Sequence, residues 1–264
     1  MVTFHFLQGS PLTLRSIPHS FRRCQLSDVC ERKGSPLSKK KIAILHTSFV
    51  FVSVEPIIND LIAEKIPEAK VIHFVDSDVL ATVQREGRIS SESTARMVHL
   101  AQAAELAGAD IIFSACSSLG PALDAAEKAV SIPVVKIDEA MAKLAATQGK
   151  KIAVMATVPS TLGPTSDLIQ KWAQTLGRTT DITQVLSEGA FDALMSGDRP
   201  KHDAMVTEKA IEVAKTVDLI VLSQASMNRL APELSKQTNM EVLSSPKIGI
   251  DYLAEKFNLL GKIG

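Results

Sequence analysis

The sequence predicts an α/β protein of two pseudo-symmetric lobes, each a mainly parallel sheet flanked by helices, with the active site in the cleft between them. Three observations predict this. From Lys40 onward, short apolar β-runs alternate with helical stretches, the pattern of parallel strands covered on both faces. The order of β-runs then recurs at a nearly constant offset, the mark of a duplicated unit. Finally, the apolar run after Asp110 delivers one thiol, Cys116, to a cluster of hydroxyls closed by Gly120, where a buried strand would end and a helix begin.

Taken in order, Lys41–His46 is a β-run of Ile-Ala-Ile-Leu that ends in His46-Thr47-Ser48, and Pro56–Lys65 follows as a helix. Lys70–Val75 is a second β-run. Ser90–Ala107 reads as a long amphipathic helix closed by Gly108, because glycine accepts the left-handed conformation that ends helices. Asp110–Ala115 is a third strand, Gly120–Ala129 a helix and Ile132–Ile137 a fourth strand. Lys150–Met155 then echoes Lys40–Leu45, Val217–Leu222 echoes Ala109–Ser114, and Met240–Leu243 echoes Ile132–Val135. Ile248–Phe257 reads as a helix returning to the first lobe. The expected division is residues 39–137 plus 247–264 for the first lobe and 138–246 for the second. Trp172 and Tyr252 are expected to pack on helices.

Residues 1–38 differ in kind. They are rich in Ser and Arg, poor in acids and broken by Pro11, Pro18 and Pro36. A disordered or transit-like leader is expected there, outside the fold. Residues 1–40 carry seven Lys/Arg against two acids, a balance of +5, and residues 41–264 carry 22 basic against 27 acidic residues, a balance of −5. A mildly acidic globular part gives no reason to expect nucleic acid. No stretch approaches the roughly 20 apolar residues of a membrane span, so no membrane partner is expected. The location expected is cytoplasmic, or an organelle matrix if the leader is a transit peptide. The three cysteines, Cys24, Cys30 and Cys116, form neither a disulfide framework nor a metal-ligand pattern. No Walker or dinucleotide glycine motif is present, so no metal and no cofactor are expected.

A thiol at the carboxyl end of a parallel strand lies where α/β sheets bind ligands, and helix N-terminal amides there lower a thiol's pKa. The Cys116 thiol can therefore become a thiolate. Under the repeat, Cys116 (six residues after Asp110) falls on Gln224 (six after Asp218); matching Ser114-Ala115-Cys116-Ser117 to Ser223-Gln224-Ala225-Ser226 would make Ala225 the counterpart instead. No cysteine follows Cys116. A strand-end cysteine is, taken alone, more often inert packing. His46 is read as a structural histidine, and His202 as the start of a helix.

The ordered set of Ser114–Gly120, Ile132–Ala140, Ala156–Leu162, Gly197-Asp198-Arg199 with His202-Asp203, and Leu222–Met227 resembles the aspartate/glutamate/hydantoin racemase superfamily over about 85% of the chain. The resemblance implies two α/β lobes around a shared site. It also implies cofactor-free chemistry in which one cysteine per lobe works opposite faces of an acidic carbon. Cys116 stands at the first-lobe cysteine position, and Gln224 at the second, so this chain is a divergent member lacking the second catalytic cysteine. Ser117 and Ser118 lie just past the thiol, Thr47 and Ser48 end the first strand, and Thr157, Ser160 and Thr161 follow its repeat, so these and Gln224 are expected to bind a small carboxylate substrate; the resemblance makes a homodimer an expectation. The function expected is a cofactor-independent isomerase of racemase or epimerase type, acting on a small carboxylate or amino-acid derivative with Cys116 as acid/base. The alternatives are a cofactor-free decarboxylase of the arylmalonate decarboxylase type, whose relatives keep the second-lobe cysteine instead, and a non-catalytic carboxylate-binding protein.

Overall fold

The computed structural model describes residues 39–49, 52 and 56–260; the expected leader, with Cys24 and Cys30, lies outside them. Within this part are two four-stranded sheets. The first contains β1 (Lys41–His46), β2 (Lys70–Val75), β3 (Ile111–Ser114) and β4 (Val134–Lys136) in the order β2-β1-β3-β4. The second contains β5 (Lys151–Ala156), β6 (Asp181–Leu186), β7 (Leu219–Leu222) and β8 (Val242–Ser244) in the order β6-β5-β7-β8. Every pairing is parallel. The expected two-lobed α/β architecture is thus what the chain adopts.

The repeat extends to side-chain detail. The Asp110 carboxylate accepts from the Lys41 amide at 2.7 Å, and the Asp218 carboxylate accepts from the Lys150 and Lys151 amides at 3.1–3.3 Å. The acid that precedes each central strand therefore ties down the start of the neighbouring strand. Central strands β1, β3, β5 and β7 are almost wholly buried, which is why their sequences are continuous apolar runs rather than alternating ones.

Helices cover both faces. In the first half these are α1 (Ile57–Lys65), α2 (Val79–Glu86), α3 (Ser91–Leu106) and α4 (Gly120–Ala129). Ser90 caps α3 by accepting the Ser93 amide, and Gly108 follows at φ 82°, as the sequence predicts. In the second half they are α6 (Leu162–Thr175), α7 (Ala190–Met195), α8 (Arg199–Val213) and α9 (Ala231–Thr238). The sequence reading assigns neither α2 and α7, whose one or two turns carry too little periodicity to register, nor α6, α9 and β6 in the second half.

Two further helices cross over. α5 (Glu139–Gln148) follows the last strand of the first sheet, yet Met141, Ala142 and Ala145 belong to the core of the second sheet with Ile152, Val154 and Ile169. α10 (Ser245–Leu259) follows the last strand of the second sheet, yet Ile250, Leu253 and Phe257 join Ile42, Ile44, Ile58 and Phe113 of the first. Trp172 and Tyr252 pack on these two cores as expected.

Gly249 lets α10 close on the first sheet, since a Cβ there would run into the Ile137 carbonyl oxygen. Gly249→Ala should lower stability by about 2 kcal/mol in urea denaturation, although Gly→Ala in an unhindered helix gains up to ~1 kcal/mol. Gly163→Ala in α6, whose added methyl would meet nothing within 4 Å, is the control that should not destabilise.

Candidate active site

β3 leads directly to Cys116, which has extended backbone (φ −130°, ψ 116°) and precedes a short 3-10 turn, Ser117–Leu119. β7 leads in the same way to Gln224 (φ −129°, ψ 134°), which precedes the 3-10 turn Ala225–Leu230. The two residues are equivalent in backbone and place, so Gln224, and not Ala225, is the counterpart of Cys116.

The equivalence extends to their partners. Thr47, just past β1, and Ser118, through its backbone amide and its hydroxyl, act on the Cys116 sulfur and favour its charged form. Gln224 Oε1 accepts from the Thr157 amide at 2.5 Å, the Thr157 hydroxyl at 3.1 Å and the Val158 amide at 3.2 Å. In each lobe a threonine from the first-strand loop grips the residue that ends the third. One lobe offers sulfur to that grip and the other a side-chain carbonyl.

The lobes touch at these ends. Ser118 Oγ of the first lobe lies 3.4 Å from Ser160 Oγ of the second, and Ala225 packs against the cluster of Ala115, Ile137 and Ile250. Thr47, Ser117, Ser118 and Thr157 are buried, Cys116 and Ser48 partly so. Thr161 is turned inward, its hydroxyl 2.9 Å from Ser223 Oγ and 3.3 Å from the Val158 carbonyl. Of the residues picked from sequence, Cys116, Thr47, Ser117, Ser118 and Ser160 therefore gather at the meeting of the lobes. Thr157, Thr161 and Gln224 are engaged with one another's loops in the second lobe.

Opposing influences act on the Cys116 thiol. Burial pushes the Cys116 thiol up from its ordinary pKa; the contacts from Thr47 and Ser118 pull it down, and Asp138 adds to the rise. The sulfur precedes a 3-10 turn that runs directly into α4, yet desolvation is the largest influence on the thiol.

Asp138, two residues after β4 and at the start of α5, falls in sequence only within the Ile132–Ala140 motif. It is 2% exposed, and its Oδ1 has no partner. Burial raises its carboxyl to about 7, against weaker opposition from its own amide, Lys136 and the Ser117 hydroxyl. Lys136 Nζ is committed to Asp124 at 2.7 Å and Glu139 at 3.1 Å, and Glu139 also accepts from Trp172 Nε1 at 2.9 Å. Beyond that motif, the only signal in sequence is an acidic pair, Asp138-Glu139, after an apolar β-run.

His46 Nε2 shares a hydrogen bond with His73 Nδ1 at 3.0 Å, while its own Nδ1 is buried without a partner. Burial, and then His73, lowers His46 to about 4, so it stays neutral. It is only half satisfied, short of the fully satisfied structural histidine expected. His202 does begin a helix, α8, where its Nδ1 lies 2.7 Å from Asp203, which Arg229 clamps. A separate cavity of about 340 Å³ is lined by Leu186, Ser187, Glu188, Met205, Glu208 and Lys209; none of the sequence-predicted residues lines it. Among the described residues no cluster of three His, Cys, Asp or Glu could hold a metal ion, and no helix is long and apolar enough to cross a membrane.

With fold and geometry in view, comparison with known proteins identifies the class. The chain matches the Asp/Glu/Hydantoin racemase family over residues 52–253 and belongs to it, a family of enzymes. Glutamate racemase isoform RacE1 from Bacillus anthracis shares the fold at TM-score 0.68 and 18% identity, covering 85% of this chain and 84% of that one. Allantoin racemase from Klebsiella pneumoniae aligns at TM-score 0.54 and 18% identity over 84% of this chain and 89% of that one. A mutant of arylmalonate decarboxylase in its sulfate-associated form aligns at 0.55 and 17%, over 84% and 93%. No curated protein matches the chain.

The Asp138 carboxyl makes stability depend on pH. Its proton leaves near 3.8 in the unfolded chain and near 7 in the folded one. Between those values the folded state holds a proton that the unfolded state has lost, so this group's contribution falls as pH rises through the window. Asp138→Asn should remove that fall and raise stability at pH 8 by about 1–3 kcal/mol, read from urea midpoints at pH 4, 6 and 8.

Proposed function

We propose that this chain is a cofactor-independent enzyme that moves a proton at the carbon next to the carboxylate of a small acid, with Cys116 as its single sulfur acid/base. The observation that carries this is the placement of Cys116 and Gln224 at equivalent strand ends where the lobes meet, in a chain of the Asp/Glu/hydantoin racemase family. Lobe limits of 39–137 with 247–264, and 138–246, are part of the proposal; the reciprocal packing of α5 and α10 supports them.

A carbon flanked by a carboxylate is a very weak acid. Most of the barrier must be met by stabilising the enediolate that forms when the proton leaves, and preorganised donors supply several kcal/mol to such a charge. Ser117, Ser118 and Ser160 bring hydroxyls from both lobes to the place where the carboxylate would lie, with Thr47 and Ser48 at its edge. Thr157, Thr161 and Gln224 support the loop that carries Ser160. Gln224 replaces the second thiol of the family but offers neither acid nor base, and its oxygen is already held by Thr157 and Val158.

In the isomerase form, Cys116 exchanges a proton on one face and a water or other donor serves the opposite face. A second form is favoured by a specific observation. The raised Cys116 thiol suits proton delivery better than proton removal. A decarboxylase needs only delivery, because loss of carbon dioxide generates the enediolate.

Incubation of the protein with amino acids, hydantoins and malonates in deuterium oxide tests these forms. Deuterium entering the α-position of recovered substrate is the isomerase outcome, and carbon dioxide release with one deuterium in the product is the lyase outcome. Cys116→Ser should lower either turnover by at least about 100-fold. Ligand binding that survives Cys116→Ala, with no turnover by the parent protein, would establish a non-catalytic binder instead.

A further inference from the structure

The parallel register of β3 and β4 pairs Ser114 with Lys136, and the Ile137 amide donates to the Ser114 carbonyl at 3.0 Å. Two residues beyond that pair, Cys116 and Asp138 follow the ends of these adjacent strands, and the Asp138 charge is felt at the thiol. The Asp138 carboxyl is almost sealed from solvent, its charged form favoured weakly by the Ser117 hydroxyl and its Oδ1 left without a partner. A buried polar atom without a partner is rare and destabilising, so its retention beside the only cysteine of the described residues calls for a role.

We propose that Asp138 is the second ionisable group of the Cys116 site, a carboxyl that must stay uncharged for the neighbouring sulfur to part with its proton. This deepens the reading of Cys116 as the acid/base and rests on it. Two acids in one shielded place do not both ionise readily. With Asp138 protonated, Cys116 can hand its proton to a carbanion and stand briefly as a thiolate beside a neutral neighbour. With Asp138 charged, the same step would place two negative charges together. The proton balance is simple: the S–H bond breaks, a C–H bond forms, and the sulfur keeps the electron pair until solvent reprotonates it.

The surroundings agree. The cation closest in sequence, Lys136 of β4, is shared between Asp124 of α4 and Glu139 of α5, so little of its charge is left for Asp138. Glu139 itself opposes ionisation. On β1, His46 is neutral at any pH above about 4. Lys143 of α5, Lys171 of α6, and Lys247 and Asp251 of α10 are exposed residues, where water screens their charges. The repeat has no second copy of the group: the position equivalent to Asp138, after β8, is Pro246. Both acids of the site thus follow strands of the first sheet.

The test is alkylation by iodoacetamide, which reports thiolate and needs no substrate. The full-length protein is treated between pH 6 and 9.5, and the Cys116 peptide is followed by mass spectrometry apart from those of Cys24 and Cys30. In the wild type, the rise of log rate with pH should break to a shallower slope near pH 7. Asp138→Asn should remove the break and alkylate about tenfold faster at pH 9, the effect of one unit in the thiol's pKa. Ser117→Ala, which removes a hydrogen bond favouring the charged carboxylate, should move the break to higher pH; it provides the reading if Asp138→Asn does not fold. Profiles of both variants that overlay the wild type within about twofold, on a tenfold-per-unit scale, would overturn the role of Asp138 while leaving Cys116 as the acid/base. A Cys116 that stays unmodified in every variant, while Cys24 and Cys30 react, would overturn the Cys116 reading and this inference with it.

Discussion

The crossing of α5 and α10 between the two sheets is the constraint on which the site depends. Each sheet ends in a strand whose following helix packs into the other lobe's core. The backbone of α10 at Gly249 lies so close to the Ile137 carbonyl that no side chain fits between them. The lobes are therefore interlocked in sequence as well as in contact, with the carboxyl ends of their strands facing each other. Asp138 sits at one of the crossings, next to Ile137, and Cys116 sits on the adjacent strand. Geometry that packs the core also positions the sulfur.

Interlocking makes the lobes symmetric in backbone but leaves their chemistry free to diverge. The strand-start acids Asp110 and Asp218 perform the same task in both halves, and Thr47 and Thr157 both grip the residue that ends the central strand. Between those fixed points the strand ends of the first sheet lead to a thiol and a buried carboxyl, while those of the second lead to an amide and a proline. The amide is well suited to a structural position, because its oxygen satisfies two backbone amides that the turn after β5 leaves open. The second half of the repeat thus holds a loop, and the first holds the groups that can exchange protons.

Desolvation dominates the electrostatics of the first lobe. It holds Cys116 above and His46 below their ordinary values, and it keeps Asp138 protonated close to neutrality. The Lys136 ammonium is the exception: burial alone would lower its pKa, yet Asp124 and Glu139 raise it, and through Glu139 the cluster reaches Trp172 of the second lobe. A single cation among three carboxyls leaves one acid better off uncharged, and the most deeply buried of them, Asp138, is that acid.

Much of this was legible in the chain itself. Continuous apolar runs can only be strands buried on both faces, so β1, β3, β5 and β7 stand out, and their constant spacing reveals the duplication. Cys116 is visible because a thiol among serines after such a run is unusual, and Gln224 because the repeat points to it. The return of the last helix to the first lobe was legible too. What remained hidden depends on contacts between residues far apart in sequence. The sign of the Cys116 shift needs the density of atoms around it, and the choice of Gln224 over Ala225 needs backbone angles. Asp138 shows no pattern of its own; its importance comes from being shut away beside a sulfur 22 positions earlier in the chain. Local sequence determines which segments are strand or helix because periodicity is local, but burial and pairing are properties of the packed molecule, and those decide which acids hold their protons.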